Sequence, residues 1–285
     1  MRARAPASAA NLGPGFDVLG LAVDRYVEVT IEPADRLSVR SEGEGAGLAD
    51  DDATHLAARV AIDVCGHDRM SIVVRSEIPV GRGLGSSAAL AAAAAAAAGA
   101  ADPLSVAARA DGHADNAAAA VHGGLVAVAS VRGALRVTRL PLDPNLVFVA
   151  VVPDRPLPTA KARQVLPAQV KREDATFNLG RLAMLLAGLA DHRLLCREAA
   201  EDRLHQDYRS PLFPEAPQVL TALAEGGALA TCWSGAGPTL LGITTDQSAP
   251  RVLAAGREAL ARTGVPGEAV VLRPDRTGLV AQATG

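Results

Sequence analysis

The chain has 285 residues, 49% of them apolar and 21% charged, with 28 Lys+Arg against 31 Asp+Glu. This balance is close to that of globular proteins, which excludes a disordered or fibrous chain, and a net charge of −3 supplies no basic field to hold nucleic acid. Only Lys161 and Lys171 are lysine and neither sits in a Gly-Lys-Ser/Thr context, so a Walker-type phosphate loop is excluded as well.

In chain order, residues 26–31 alternate polar with apolar side chains and predict a strand, as do residues 37–40 and 70–75. From Ser86 the pattern changes to an alanine run ending near Gly99, which predicts one long buried helix. A short helix over 104–110 and a strand over 125–131 follow, and the prolines, Asp143 and Asn145 of segment 141–145 predict a linker. Beyond it, the apolar run 146–152 reads as a buried strand and 174–196 as helix. Next come a strand at 228–233, a turn at 234–238, a strand at 239–244, a helix at 250–263 and a strand at 268–273. Four strands with several helices in this half predict an α+β layer arrangement. The thiols Cys65, Cys196 and Cys232 form no CxxC pair, which speaks against a disulfide scaffold or a zinc site. The opening residues lack a signal peptide's apolar core, and the longest apolar run falls short of the ~20 residues that span a bilayer. No membrane partner is expected, and the cytoplasm is the expected location.

The strongest local signal is the run from Pro79 through Gly81, Gly83, Leu84, Gly85, Ser86 and Ser87 to Ala88, lying between a strand and the alanine helix. Glycines let backbone N–H groups converge on an anion, and the start of a helix adds partial positive charge, so such a loop can hold a triphosphate without lysine. The serine hydroxyls suit phosphate oxygens or Mg²⁺, which prefers oxygen ligands. The same residues also suit an ordinary strand-to-helix connection with Ser86 or Ser87 as its cap.

Two further segments accompany this loop: Pro6 to Gly20, containing Asn11-Leu12-Gly13-Pro14-Gly15-Phe16-Asp17, and Ser234-Gly235-Ala236-Gly237-Pro238-Thr239. Together the three resemble the signature motifs of the GHMP kinase superfamily in order and spacing over nearly the whole chain. Within it, Asn11 to Asp17, Gly112-His113-Ala114-Asp115-Asn116, Thr159 to Arg163 and Arg203 to Arg209 resemble the homoserine kinase branch. The resemblance implies a two-domain α+β fold, with a ribosomal-protein-S5-like α/β nucleotide-binding domain over 1–143 and a ferredoxin-like α+β domain over 144–285. It implies ATP and Mg²⁺ as cofactors and leaves a homodimer open.

The resemblance also implies that Pro79, Gly81, Gly83, Leu84, Gly85, Ser86, Ser87 and Ala88 hold the nucleotide. Asn11, Asp17, His113, Asp115, Asn116, Thr159, Arg163, Arg209 and Gly235 would surround homoserine, with Asn116, Asp115 and Ser87 the catalytic set. An amino-acid substrate needs guanidinium groups for its carboxylate and a carboxylate for its ammonium, which Arg163 and Arg209 on one side and Asp115 or Asp17 on the other would provide. The metal would lie on Ser87 and Asp111, where the family usually has glutamate, and no lysine is placed as a base. Runner-up expectations are a mevalonate- or shikimate-type kinase and a non-catalytic nucleotide sensor on the same fold.

Overall fold

The computed structural model describes residues 1–47 and 52–283. The first half is built on a mixed seven-stranded sheet. Strands β1 (Arg2–Ala10) and β2 (Leu19–Pro33) pair antiparallel, with a register shift between Pro6 and Ala7. A proline cannot donate to the ladder, so Pro6 sits where pairing is already irregular. β3 (Ser38–Gly43) is followed by helix α1 (Leu56–Cys65) and then β4 (Met70–Ser76), which runs parallel to β3 and antiparallel to β2.

Helix α2 (Ser86–Ala97) is the alanine run, buried on every side, and it packs on β1, whose inward residues Ala3, Ala5, Ala7 and Ala9 are also alanine. Small side chains on both surfaces let helix and strand approach closely. Helix α3 (Pro103–Asp111) starts at Asp102, whose side chain accepts from Ser105 N–H at 3.1 Å, and stops at Gly112 in the left-handed region. α4 (Ala114–His122) follows at once, then β5 (Leu125–Val131), which pairs with the start of β2, and β6 (Ala134–Leu140) at the far edge.

Segment 141–145 carries the chain to a second sheet. β7 (Leu146–Pro153) is buried along its whole length, as its unbroken apolar run demands. After it come α5 (Thr159–Gln164), α6 (Arg172–Ala190), α7 (Gln206–Arg209), α8 (Ala216–Glu225), β8 (Ala230–Trp233), β9 (Leu240–Thr245), α9 (Ala249–Thr263) and β10 (Gly267–Leu272). The sheet order β10-β7-β9-β8, all antiparallel, is the split βαβ arrangement of a ferredoxin-like layer. The expected helix over 174–196 ends earlier, at Ala190. Asp191 is extended there, and its carboxylate accepts from Arg193 N–H, opening a separate 3₁₀ turn.

Elements that sequence patterning did not anticipate are β1, α1, α4, β6, α5, α7, α8 and β11 (Val280–Gln282). This last strand leaves the second half and pairs with β1, placing Gln282 opposite Arg2. Residues 144–285 therefore contain the whole second sheet and also one edge strand of the first. Among the described residues, no helix is long and apolar enough to cross a membrane.

Candidate active site

The three glycine-bearing segments converge where the two sheets meet. Ser8 N–H donates to the Leu84 carbonyl at 3.0 Å, and Gly235 N–H donates to the Ala10 carbonyl at 2.9 Å. Ser234 Oγ donates to the Gly83 carbonyl at 2.6 Å and Thr239 Oγ1 to the Arg82 carbonyl at 2.5 Å. Glycine is required at two of these positions. A Cβ at Gly83 would lie 2.6 Å from the Ser234 carbonyl oxygen, and one at Gly85 would lie 2.1 Å from Ser8 Oγ, both on backbone with positive φ.

The junction encloses a cavity of about 390 Å³. Gly81, Gly83, Gly85, Ser86 and Ser87 line it, as do Asn11, Asp17, Asp111, His113, Asp115, Asn116, Thr159, Arg163, Arg209 and Gly235. Pro79, Leu84 and Ala88 do not line it, and the side chains of Leu84 and Ala88 point into the core. Neither serine caps α2: Gly85 occupies the cap position in left-handed geometry and no side chain bonds the first turn. The positive end of a helix whose alanines are all buried is thereby aimed at the cavity.

Ser87 Oγ donates to Asp111 Oδ1 in a short contact, and the other Asp111 oxygen lies 3.8 Å from His113 Nδ1. The neighbouring carboxylate raises the His113 imidazole above its ordinary value. A hydroxyl and a carboxylate in contact at the mouth of a glycine loop are the hard oxygen donors that Mg²⁺ prefers, so these residues fit that ion.

At the other end of the cavity, Asp17 and Arg163 form a two-pronged pair at 2.6 and 3.1 Å, joining motifs 146 residues apart. Asp17 is placed by Asn11: both have positive φ, and Asn11 Oδ1 accepts from Asp17 N–H at 3.0 Å while Nδ2 donates to the Gly235 carbonyl at 2.8 Å. That carbonyl also accepts from Arg209 Nη1 at 3.0 Å, so Gly235 lines the cavity with its own polar groups engaged in holding the loops together. Arg209 is 1% exposed, and burial first, then the charge of Arg163, lowers its guanidinium to about 10. Asp115, 4% exposed at the start of α4, is lifted to about 6 by burial against an opposing hydrogen bond from Asn116 N–H. One end of the Asn116 amide meets Ser8 Oγ at 2.9 Å.

Residues that sequence reasoning did not single out complete the site. The Phe16 ring lies 5.7 Å from the Arg163 guanidinium and 5.6 Å from that of Arg209, and stacks on the His205 imidazole at 5.1 Å. Val27, Leu56, Val74 and Leu90 give the glycine-loop end an apolar wall, beside Ser41 and His55. The spacing of His205 four residues before Arg209 was a legible helical signal, whereas nothing in the alanine-rich first strand marks Ser8.

Known proteins match this chain in sequence and in fold. Family models for the GHMP kinase N-terminal and C-terminal domains match residues 52–124 and 185–262. Homoserine kinase from Moorella thermoacetica is 39% identical, over 97% of this chain and 98% of that protein. Homoserine kinase from Thermus thermophilus is 40% identical, over 92% and 94%. The chain belongs to the homoserine kinase family of the GHMP kinases. The crystal structure of homoserine kinase from Cytophaga hutchinsonii superimposes with a TM-score of 0.86 at 28% identity, covering 98% of this chain and 96% of that one. The L. major mevalonate kinase, at 14% identity and a TM-score of 0.69, shares the fold. As a GHMP kinase the chain uses ATP, and the two ends of its cavity differ in chemistry, one of glycine backbone and one of paired charges.

Proposed function

We propose that the chain transfers the γ-phosphoryl group of ATP to the side-chain hydroxyl of L-homoserine, giving O-phospho-L-homoserine and ADP on the route to threonine. The observation that carries this reading is Arg209, a guanidinium buried at the end of the cavity with no carboxylate at ion-pair distance among the described residues. An uncompensated buried cation is costly, and an α-carboxylate entering the cavity relieves that cost. Arg163 joins it when the substrate takes Asp17 as the partner of its ammonium, so the pair seen between Arg163 and Asp17 is exchanged for two pairs to one zwitterion. Asp115, which lines the same cavity, would share the ammonium.

In this reading the glycine-loop N–H groups and the positive end of α2 hold the phosphates, and the apolar wall of Val27, Leu56, Val74 and Leu90 takes the base. Ser87 and Asp111 would hold Mg²⁺, which supplies charge neutralisation on the phosphates. Asn116 orients the substrate hydroxyl. The bond between this oxygen and the γ-phosphorus forms as the bond to the ADP oxygen breaks, and the hydroxyl proton leaves to phosphate or solvent. Neither lysine lines the cavity, so rate enhancement comes from alignment and charge stabilisation, the two effects on which phosphoryl transfer chiefly depends.

The test is ADP release with ATP and Mg²⁺ across homoserine, serine, threonine, mevalonate and shikimate. Homoserine is expected to be used far better than the two acids that lack an ammonium, and Arg209→Ala to raise the homoserine KM without moving that for ATP. Equal turnover of mevalonate or shikimate would overturn the assignment.

A further inference from the structure

Arg209 is held entirely by uncharged acceptors. Its Nε meets the Ala162 carbonyl at 3.3 Å, and its Nη1 meets the Gly235 carbonyl at 3.0 Å and His205 Nδ1 at 2.9 Å. Only the last of these is a side chain, and the partners of His205 fix its protonation. Nε2 faces the Gly13 carbonyl at 2.8 Å, which can only accept, and Nδ1 faces a guanidinium, which can only donate. The ring is therefore neutral with its proton on Nε2. Burial, with the histidine 0% exposed, favours the same form. The carboxylate nearest the ring, Asp202 Oδ2 at 3.6 Å from Nε2, accepts the backbone N–H groups of His205 and Gln206 at 2.8 and 2.7 Å.

We propose that His205 is a positioning residue for Arg209: a neutral imidazole that sets the rotation of the guanidinium and leaves its charge uncancelled for the substrate carboxylate. This rests on the reading of Arg209 given above. An acid in the same place would orient the arginine equally well but neutralise it, and an aliphatic side chain would leave a buried N–H without a partner. The Nε2–H bond to Gly13 ties the arginine to the loop that carries Asn11 and Asp17, and the stacked Phe16 ring closes the same unit. The two substrate-facing charges, Arg209 and Asp17, are thus set at a fixed separation through one imidazole.

Initial rates with homoserine and ATP varied separately test this in four proteins. His205→Phe keeps a ring against Phe16 and removes both hydrogen bonds. His205→Asn keeps an acceptor near the Nδ1 position. Arg209→Ala and the double variant His205→Phe/Arg209→Ala complete the set. His205→Phe is expected to raise the homoserine KM about tenfold while leaving the ATP KM within about twofold, the effect of one hydrogen bond to a charged group. His205→Asn should recover most of that loss, and His205→Phe should add nothing to Arg209→Ala, since the two act as a unit. A structural role alone would lower stability and affect both substrates alike.

An unchanged homoserine KM in His205→Phe, where Arg209→Ala raises it, would overturn the positioning role and leave the carboxylate assignment standing. Full additivity in the double variant would overturn it too. An unchanged homoserine KM in Arg209→Ala would remove both readings together. If His205→Phe does not fold, His205→Gln replaces it: its longer amide still reaches Gly13 but gives up Arg209, and the same rise in homoserine KM is expected.

Discussion

Burial has two opposed effects on Asp115. Because its carboxyl is lifted to about 6, the folded chain holds that proton more tightly than the unfolded chain does. The ionised form therefore costs stability above about pH 6, and the cost fades as pH falls toward the ordinary carboxylate value. Asp115→Asn is expected to raise stability at pH 8 by up to about 3 kcal/mol, read from denaturant midpoints. The same change should lower kcat/KM for homoserine by about tenfold or more, since the ammonium keeps Asp17 but loses the second of its two charged partners. In the wild type, kcat/KM for homoserine should fall as pH drops through about 6, and Asp115→Asn should lose that limb. A substitution that leaves both stability and homoserine kinetics unchanged would remove Asp115 from the site. At Asp111 the contact with Ser87 Oγ shows that the shorter acid already reaches its neighbour. Asp111→Asn should raise the free Mg²⁺ needed for half-maximal rate by about tenfold or more. Asp111→Glu should fall short of wild type because its added methylene overreaches, and full activity in that variant would show that α3 has room for it.

At the scale of elements, the junction of β4 with α2 is the most constrained. Gly85→Val places a branched side chain at φ +66 and against Ser8 Oγ, costing on the order of 1–3 kcal/mol from backbone strain alone. Because Gly85 also lines the cavity, ATP turnover should fall further than stability does; a variant with lowered Tm and normal ATP kinetics would contradict that. This loop was legible in the sequence since its chemistry dictates glycine at fixed positions. β1 was not, because Arg2 to Ala10 has no β-branched residue and carries Pro6, and an alternation whose inward side chains are all alanine is too weakly apolar to stand out. Its identity as a strand comes from α2, whose alanine surface needs an alanine surface to lie on. α4 escaped for another reason: its first turn, Ala114 to Asn116, spells a binding motif, and chemistry hid the helix. The four strands of the second sheet were legible because each is a short apolar run between turn residues, and β7 is the plainest of them.

For the whole molecule, the site exists only when both halves are docked, since Asp17 and Arg163, or His205 and Gly13, meet through contacts that no local pattern reveals. Asp143 secures that docking at the crossover. Its carboxylate accepts the backbone N–H groups of His192 at 2.9 Å and Asn145 at 2.9 Å and faces His192 Nδ1 at 2.6 Å, while its own N–H donates to the Leu189 carbonyl. These hydrogen bonds hold its carboxyl well below the ordinary carboxylate range. A lowered value means that the stabilisation is present above the ordinary carboxylate range and is lost only as pH falls through the folded value. Asp143→Ala is expected to lower Tm by a few degrees at neutral pH, with the gap from wild type closing in strong acid. A gap that stays constant from neutral to strongly acidic pH would deny the carboxylate that role.

The pairing of β11 with β1 bears on the order in which the chain is made. A ribosome releases Arg2 long before Gln282, so the outer edge of β1 stays open until the second half has been made. An open edge is a template for other strands, and here it is guarded by the charges of Arg2 and Arg4, which discourage a stray partner until the proper one emerges. A nascent chain stalled after the first half would expose that edge, and removing both arginines should make the stalled species prone to aggregate.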